Sequence, residues 1–320
     1  MKKNALLLLI LLVFPTFLIA QKIDNMASFR DIKSNHYFRY NYDNDFFASS
    51  DENYTQGYNF ELVTPFFKKN PANYLFFKPK NNEFKYGLSL EHIGFTPFNI
   101  KSEEIQVGDR PFAASIMLKS FAIATDTISK SRFISSLTVG LIGPGAFGKE
   151  MQVAIHKATG NTIPQGWINQ IKNDVVLNYE VSYEKKIAGY KNLFSLQTNS
   201  SLRLGTLFTN ASVGFNATLG IINAPFTSFT TKNKFQLYLY SQPIVTVVGY
   251  DATLQGGLFN TKSTYTIPNN SIERFTAQNN YGVVLQTKTM YFEYSRTSIT
   301  REFNTGKAAK YGGIKVGFKF

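Results

Sequence analysis

From His36 onward, apolar and polar residues alternate with a period of two through a succession of segments, most of them ten or more residues long. In His36–Phe47 the apolar row is Phe38, Tyr40 and Tyr42, and the opposite row is Arg39, Asn41 and Asp43. Thr55–Phe66 sets Tyr58, Phe60 and Leu62 against Thr55, Asn59 and Glu61. Phe84–Ile93 sets Phe84, Tyr86, Leu88 and Leu90 against Lys85, Ser89 and Glu91. In Asn192–Gly205, Phe194, Leu196, Leu202 and Leu204 alternate with Ser195, Gln197, Asn199, Ser201 and Arg203. Phe112–Thr125, Arg132–Ile142, Val175–Ile187, Ala211–Ile222, Lys234–Val248, Ile272–Gln286, Met290–Ile299 and Tyr311–Phe320 bring the predicted strands to about twelve. A strand sends successive side chains to opposite faces, and a barrel in lipid needs an apolar outer face backed by a polar inner one. A soluble β-sandwich has the same period, but its strands are nearer five or six residues long. The pattern therefore predicts an all-β fold, a transmembrane antiparallel β-barrel of about twelve strands.

Gly143–Gln170 interrupts the alternation and is the one long segment after the N-terminus that reads as helix. It carries His156, one of three histidines, and Trp167, the only tryptophan. Helical spacing over Lys149–Lys157 puts Met151, Ala154 and Ile155 on one side, with Gln152 and His156, four apart, on a neighbouring face. The segment is expected to form a helical excursion on the extracellular side. Met1–Ala20 has two lysines, an apolar run from Ala5 to Leu12 and a small residue before Gln21, the pattern of a Sec signal peptide. Beyond it no run approaches the ~20 apolar residues of a spanning helix, so insertion is expected by barrel. Residues 21–320 show no linker or long repeat and read as one domain; Lys68–Asn82 and Thr261–Asn270 read as loops. The last strand alternates Ile314, Val316, Phe318 and Phe320 with Lys315, Gly317 and Lys319, and its terminal Phe resembles the C-terminal signal of outer-membrane barrels.

Composition narrows the chemistry. The chain has no cysteine, which excludes disulfides, thiolate metal sites and cysteine nucleophiles. Aromatic residues make up 15% against 17% charged, a balance that suits a barrel with aromatic girdles. The net charge of +13 is spread singly along the chain, which argues against a nucleic-acid partner and suits an anionic membrane or phosphorylated headgroups.

There is no P-loop, dinucleotide fingerprint, HExxH site or GxSxG elbow. A lone histidine on a helix is more often a surface or packing residue than a catalyst. His36 opens the first strand, and His92 shares the parity of Leu88 and Leu90, which predicts a place at the membrane interface. Asn44 and Asp45 fall where the first strand leaves the membrane and Thr55 where the second begins, so a hairpin would bring them to one rim. An amide oxygen, a carboxylate and a hydroxyl are hard donors suited to Ca²⁺. Ordinary Asx turns at Asp43–Asp45 and Asp51–Asn53 explain the same residues equally well.

Taken together, these segments resemble the outer-membrane lipid A 3′-O-deacylases of the LpxR family. The resemblance rests on Asn44–Asp45 in YDNDFF, Tyr54, Thr55 and Gly57 in NYTQGY, and Gly108–Ala113 in GDRPFA. It continues through Gly143–Pro144 with Glu150 and Gln152, His156 followed by Gly160, and Trp167 with Gln170, in the family's order. It implies a twelve-stranded barrel in the outer membrane of a Gram-negative bacterium, acting as a monomer on lipopolysaccharide. The site would lie between the wall and an extracellular helix and would hydrolyse the 3′-linked acyloxyacyl ester of lipid A with Ca²⁺. Carried over, His156 is the general base, a role that suits an imidazole. Asn44, Asp45 and Thr55 complete the catalytic group, with Asp45 and Thr55 as metal ligands and Glu150 as a further candidate. Arg110 would fork onto a substrate phosphate or brace the site. One departure stands out: the family's acid six residues after the histidine is Thr162 here. The alternatives are an esterase acting on another lipid, such as a phospholipid, and a structural or transport barrel whose helix is a plug or lid.

Overall fold

The computed structural model describes residues 25–44, 53–230 and 235–320, with backbone alone for 53–55. The predicted signal peptide and Asp45 lie outside the described residues. The strands are β1 (Tyr37–Asn44), β2 (Asn53–Val63), β3 (Glu83–Thr96), β4 (Ala113–Asp126), β5 (Ser131–Ile142) and β6 (Asp174–Tyr190). They continue with β7 (Phe194–Gly205), β8 (Phe208–Ile221), β9 (Gln236–Asp251), β10 (Phe275–Gln286), β11 (Met290–Ile299) and β12 (Ala309–Lys319). Each pairs antiparallel with its neighbour in sequence, and β1 closes on β12, Tyr37 opposite Lys319 through Asn44 opposite Gly312. The closed all-β barrel expected from the alternation is therefore present.

The boundaries differ where local chemistry competes with the ladder. β2 stops at Val63 because Thr64 turns the chain: its side chain accepts from the Phe66 amide, and Pro65 has no N–H to give. β10 begins at Phe275 and not at Ile272, which forms an isolated bridge with Phe303 in the β11–β12 connection.

The start of β1, the end of β12 and the short turns 127–130, 191–193 and 287–289 lie at one end of the barrel, the periplasmic end, and the long β5–β6 and β9–β10 connections lie at the other. Arg39, Glu61 and Lys85 are buried inward, while Phe60, Leu62 and Leu90 on the opposite parity are exposed outward.

The periplasmic half of the lumen is filled by residues 25–36. Arg30 pairs with Glu293 of β11 at 2.8 Å and donates to the Tyr240 hydroxyl at 3.0 Å. Phe29 stacks on the Tyr240 ring with centroids 4.2 Å apart, and Tyr238 donates to the Phe29 carbonyl at 2.5 Å. Asp31 meets Lys85 of β3 at 2.8 Å, and Arg39 of β1 donates to the Arg30 carbonyl at 2.7 Å while pairing with Glu61 at 2.8 Å. Burial alone would raise the Asp31 carboxyl, but Lys85, Lys33 and Arg132 hold it far below the ordinary carboxylate range. Its contribution to stability is therefore present above the ordinary carboxylate pKa and lost only as pH falls through the depressed value. Above the plug, a cavity of about 80 Å³ between the Glu91–Lys119 and Glu180–Arg203 pairs has space for a few waters.

Arg30→Met should cost on the order of 3 kcal/mol, because it strands the Glu293 carboxylate, and Arg30→Met/Glu293→Gln should recover most of that. Unfolding in detergent checks the energy, and planar-bilayer conductance, absent in the parent, should appear in the single variant as the plug loosens. Acidification from pH 7 to pH 4 should leave the plug in place.

Candidate active site

The β5–β6 connection leaves the wall through a bend that only glycine permits. Gly143 has φ 108°, its amide donates to the Ala114 carbonyl at 2.8 Å, and a Cβ there would sit 2.6 Å from the Asn173 nitrogen. A 3₁₀ turn, Pro144–Ala146, leads into α1 (Gly148–Thr159). The helix ends at Gly160 in the left-handed conformation, with the Asn161 amide donating to the His156 carbonyl at 2.9 Å. It is shorter than the segment that reads as helical, because Gly160 and Pro164 stop it and Gly166–Asn169 returns as a 3₁₀ turn.

This arm lies against the outside of the barrel. A Cβ on Gly148 would come within 2.4 Å of the Ala114 methyl on the outward face of β4. Trp167 is 1% exposed, packs on Phe112 at 5.0 Å and donates its indole N–H to Gln152 Oε1 at 2.6 Å. His92, outward on β3 as its parity predicts, is fully buried all the same: it stacks on Tyr58 at 5.0 Å, and its Nε2 lies 2.9 Å from the Ala146 carbonyl. A carbonyl only accepts, so Nε2 donates and His92 clamps the arm to the wall. The interface expected for it is a protein one, made by a segment whose return to the wall no local pattern encodes.

His156 is half-buried near the end of α1, and its Nδ1 bonds the main-chain carbonyl of Thr162. Because that oxygen can only accept, Nδ1 carries the hydrogen, so that the neutral form of the ring has its lone pair at Nε2. Thr162 serves this contact through its backbone. Glu150 is exposed in the first turn of α1, where the helix dipole favours negative charge.

Asn44 lies on the outward parity of β1 with Tyr40 and Tyr42, and its Nδ2 donates to the Tyr42 hydroxyl at 3.2 Å. Asp43 pairs with Gly57, and the β2–β3 register shifts between Tyr54 and Gln56, which makes Thr55 the extra residue of a bulge beside Asn44. The same row runs on through Gln56, Gly94 and Ala114 to the foot of α1. Asn44 and the histidine arm thus share one outer surface, with β1 and β4 three strand spacings, roughly 14 Å, apart. Asp45 and the Thr55 side chain lie outside the described residues. Among the described residues no three acidic, histidine or cysteine side chains converge on one point.

Arg110 is elsewhere. It is buried at the extracellular mouth, on the lumen side, with Nη1 3.1 Å from Glu302 Oε2 and Nη2 donating to Thr253 Oγ1 at 3.3 Å. Its guanidinium lies 4.1 Å from the centre of the Phe95 ring. Thr253, in the single turn α2 (Ala252–Gln255), donates to Asp251 Oδ1 at 2.6 Å. The fork is thus engaged with protein groups and ties three extracellular connections together. Neither Asp251 nor Glu302 stands out in the sequence, since only the barrel's closure brings them within reach of Arg110. Burial pushes the Glu302 carboxyl up to about 7; Arg110 opposes the shift and Asp251 adds to it. A raised acid loses its stabilising contribution as pH rises, here between about 4.5 and about 7. Glu302→Gln should flatten the fall in thermal stability over that window, which melting curves at pH 5 and pH 8 would show.

A closed, apolar-walled barrel with an ion-paired plug and a histidine arm on its lipid-facing side defines an integral outer-membrane protein. The family model described as "Outer membrane protein LpxR" matches residues 6–320, and the chain belongs to that family, in the outer membrane of a Gram-negative bacterium. The solved structure of LpxR from Salmonella typhimurium is 18% identical, with a TM-score of 0.73 over 89% of this chain and 100% of that one, and shares the fold. The β-domain of the Bordetella autotransporter BrkA is 8% identical, with a TM-score of 0.48 over 89% of this chain and 99% of that one. The translocator domain of NalP from Neisseria meningitidis is 10% identical, with a TM-score of 0.44 over 89% and 88%. Likeness at those last two levels carries no argument about the site. No curated protein matches the chain.

Proposed function

We propose that this protein is a lipid A deacylase that hydrolyses the 3′-linked acyloxyacyl ester, with His156 as general base and Ca²⁺ as cofactor. The observation that carries the reading is the His156 imidazole, fixed by the Thr162 carbonyl so that Nε2 holds the lone pair, on an arm braced against the outer wall. A lipid ester reaches that face without leaving the membrane. Membership of the LpxR family supports the same substrate. The filled lumen speaks against a transport barrel.

In this chemistry Nε2 takes a proton from water as the water oxygen attacks the acyl carbonyl. The tetrahedral intermediate collapses, the sugar oxygen leaves, and the imidazolium returns its proton to that oxygen. The Nδ1–H contact to Thr162 steadies the ring while it is charged. Arg110 braces the extracellular connections from the lumen side. The donors proposed for Ca²⁺, the Asn44 amide oxygen, the Asp45 carboxylate and the Thr55 hydroxyl, are all hard oxygens, and Glu150 is a further one on the arm. When bound, the cation polarises the ester carbonyl and stabilises the oxyanion.

The test is mass spectrometry of lipid A from cells with and without the protein. The reading expects loss of one acyloxyacyl group. Unchanged lipid A with released phospholipid chains would transfer the activity to the other lipid class. His156→Ala should lower hydrolysis about 10²- to 10⁴-fold, with heat-modifiable barrel migration intact. Asp45→Ala and EGTA should each stop turnover. Thr162→Ala should stay within a few-fold of the parent, because its carbonyl remains; full activity in the His156 variant would remove the proposed base.

A further inference from the structure

At the periplasmic end three connections are turns of three or four residues, whereas the β2–β3 connection, like β8–β9, is far longer. It spans residues 64–82 as two consecutive 3₁₀ turns, Pro65–Lys69 and Pro71–Leu75. Asn70 closes the first turn and caps the second, accepting from the Ala72 amide at 3.0 Å. The buried Asn73 side chain donates to the Phe67 and Lys68 carbonyls at 2.8 and 3.1 Å and holds the two turns together. This compact unit does not hang into the periplasm. Phe67, Ala72 and Phe76 pack on Tyr86, Ala122, Leu137 and Tyr179, all of outward parity, and the Tyr179 hydroxyl donates to the Leu75 carbonyl at 2.7 Å. The connection is folded back along the outside of β3–β6, in the half of the wall that faces the periplasmic leaflet.

Its free face has a two-part composition. Phe66 (70% exposed), Tyr74 (90%), Leu75 (61%) and Phe77 (57%) are presented outward from a unit whose other side is bound to the wall. Lys68, Lys69, Lys78 and Lys80 are exposed around them, and residues 64–82 contain no Asp or Glu. The ion pairs of the described residues use none of these four lysines. Aromatic rings prefer the membrane interface, and lysines there reach headgroup phosphates over apolar stems. We infer that this connection is a binding site for an anionic phospholipid of the periplasmic leaflet. The acyl chains lie against Phe66, Leu75 and Phe77, and the phosphate is held by the lysines. A zwitterionic lipid offers the same chains without the net negative charge, so the lysines select between them.

Native mass spectrometry of the full chain in detergent, titrated with phosphatidylglycerol or phosphatidylethanolamine, tests the inference. The parent should bind phosphatidylglycerol at least about fivefold more tightly, the factor expected from a single interfacial lysine. Lys68→Gln/Lys69→Gln/Lys78→Gln/Lys80→Gln should bring the ratio to about one, and Phe66→Ser/Phe77→Ser should weaken both lipids alike. Heat-modifiable migration verifies folding in each case. Equal binding of the two lipids by the parent, or an unchanged preference in the lysine variant, overturns the inference. Dimers in the same spectra that dissociate in the Phe66→Ser/Phe77→Ser variant would overturn it in favour of self-association through this face.

Discussion

In hydrocarbon, every backbone N–H and C=O must find its partner within the protein, and the β1–β12 ladder meets that demand by closing the sheet on itself. Closure also divides the side chains. One parity of each strand faces lipid and must be apolar; the other faces an enclosed lumen and can carry charge. Arg39, Glu61, Lys85 and Glu293 would be untenable on the outside, and inside they have partners on the neighbouring strand or from the plug.

The lumen has two centres of charge with different electrostatics. At the periplasmic end, Lys85, Lys33 and Arg132 surround Asp31 and hold its carboxyl below the ordinary carboxylate range. At the extracellular mouth, Asp251 and Glu302 share the single guanidinium of Arg110, so one carboxyl titrates near neutrality. The first arrangement keeps the barrel filled. The second ties loops together above the wall that carries the candidate site.

Two connections leave the barrel and return to its outer face. At the extracellular end, the small residues Ala114 and Gly148 let the histidine arm approach closely, while His92 and the Gln152–Trp167 bond fix it. At the periplasmic end, aromatic packing on Tyr86 and Tyr179 brings a basic, acid-free segment to the wall. Each turns a stretch of plain lipid-facing barrel into a specific surface.

The sequence by itself determined the strands, their inward and outward faces and their closure into a barrel, because period-two alternation is local and each strand states its own partition between lipid and lumen. It also marked the β5–β6 segment, where that period fails, and it singled out His156. The outward parity of His92 was legible, but its burial was not, because it depends on Ala146 returning from 54 residues away. Thr162 read as a missing acid, yet the contact it makes uses its carbonyl, a group every residue carries and no side chain reveals. Arg110 read as a possible phosphate ligand, and only the packing of three connections shows its fork among Glu302, Thr253 and Phe95. The plug and the folded-back β2–β3 connection belong to the same class. Their composition is local, but the surface each one covers is set by contacts between distant strands, and those exist only once the barrel has closed.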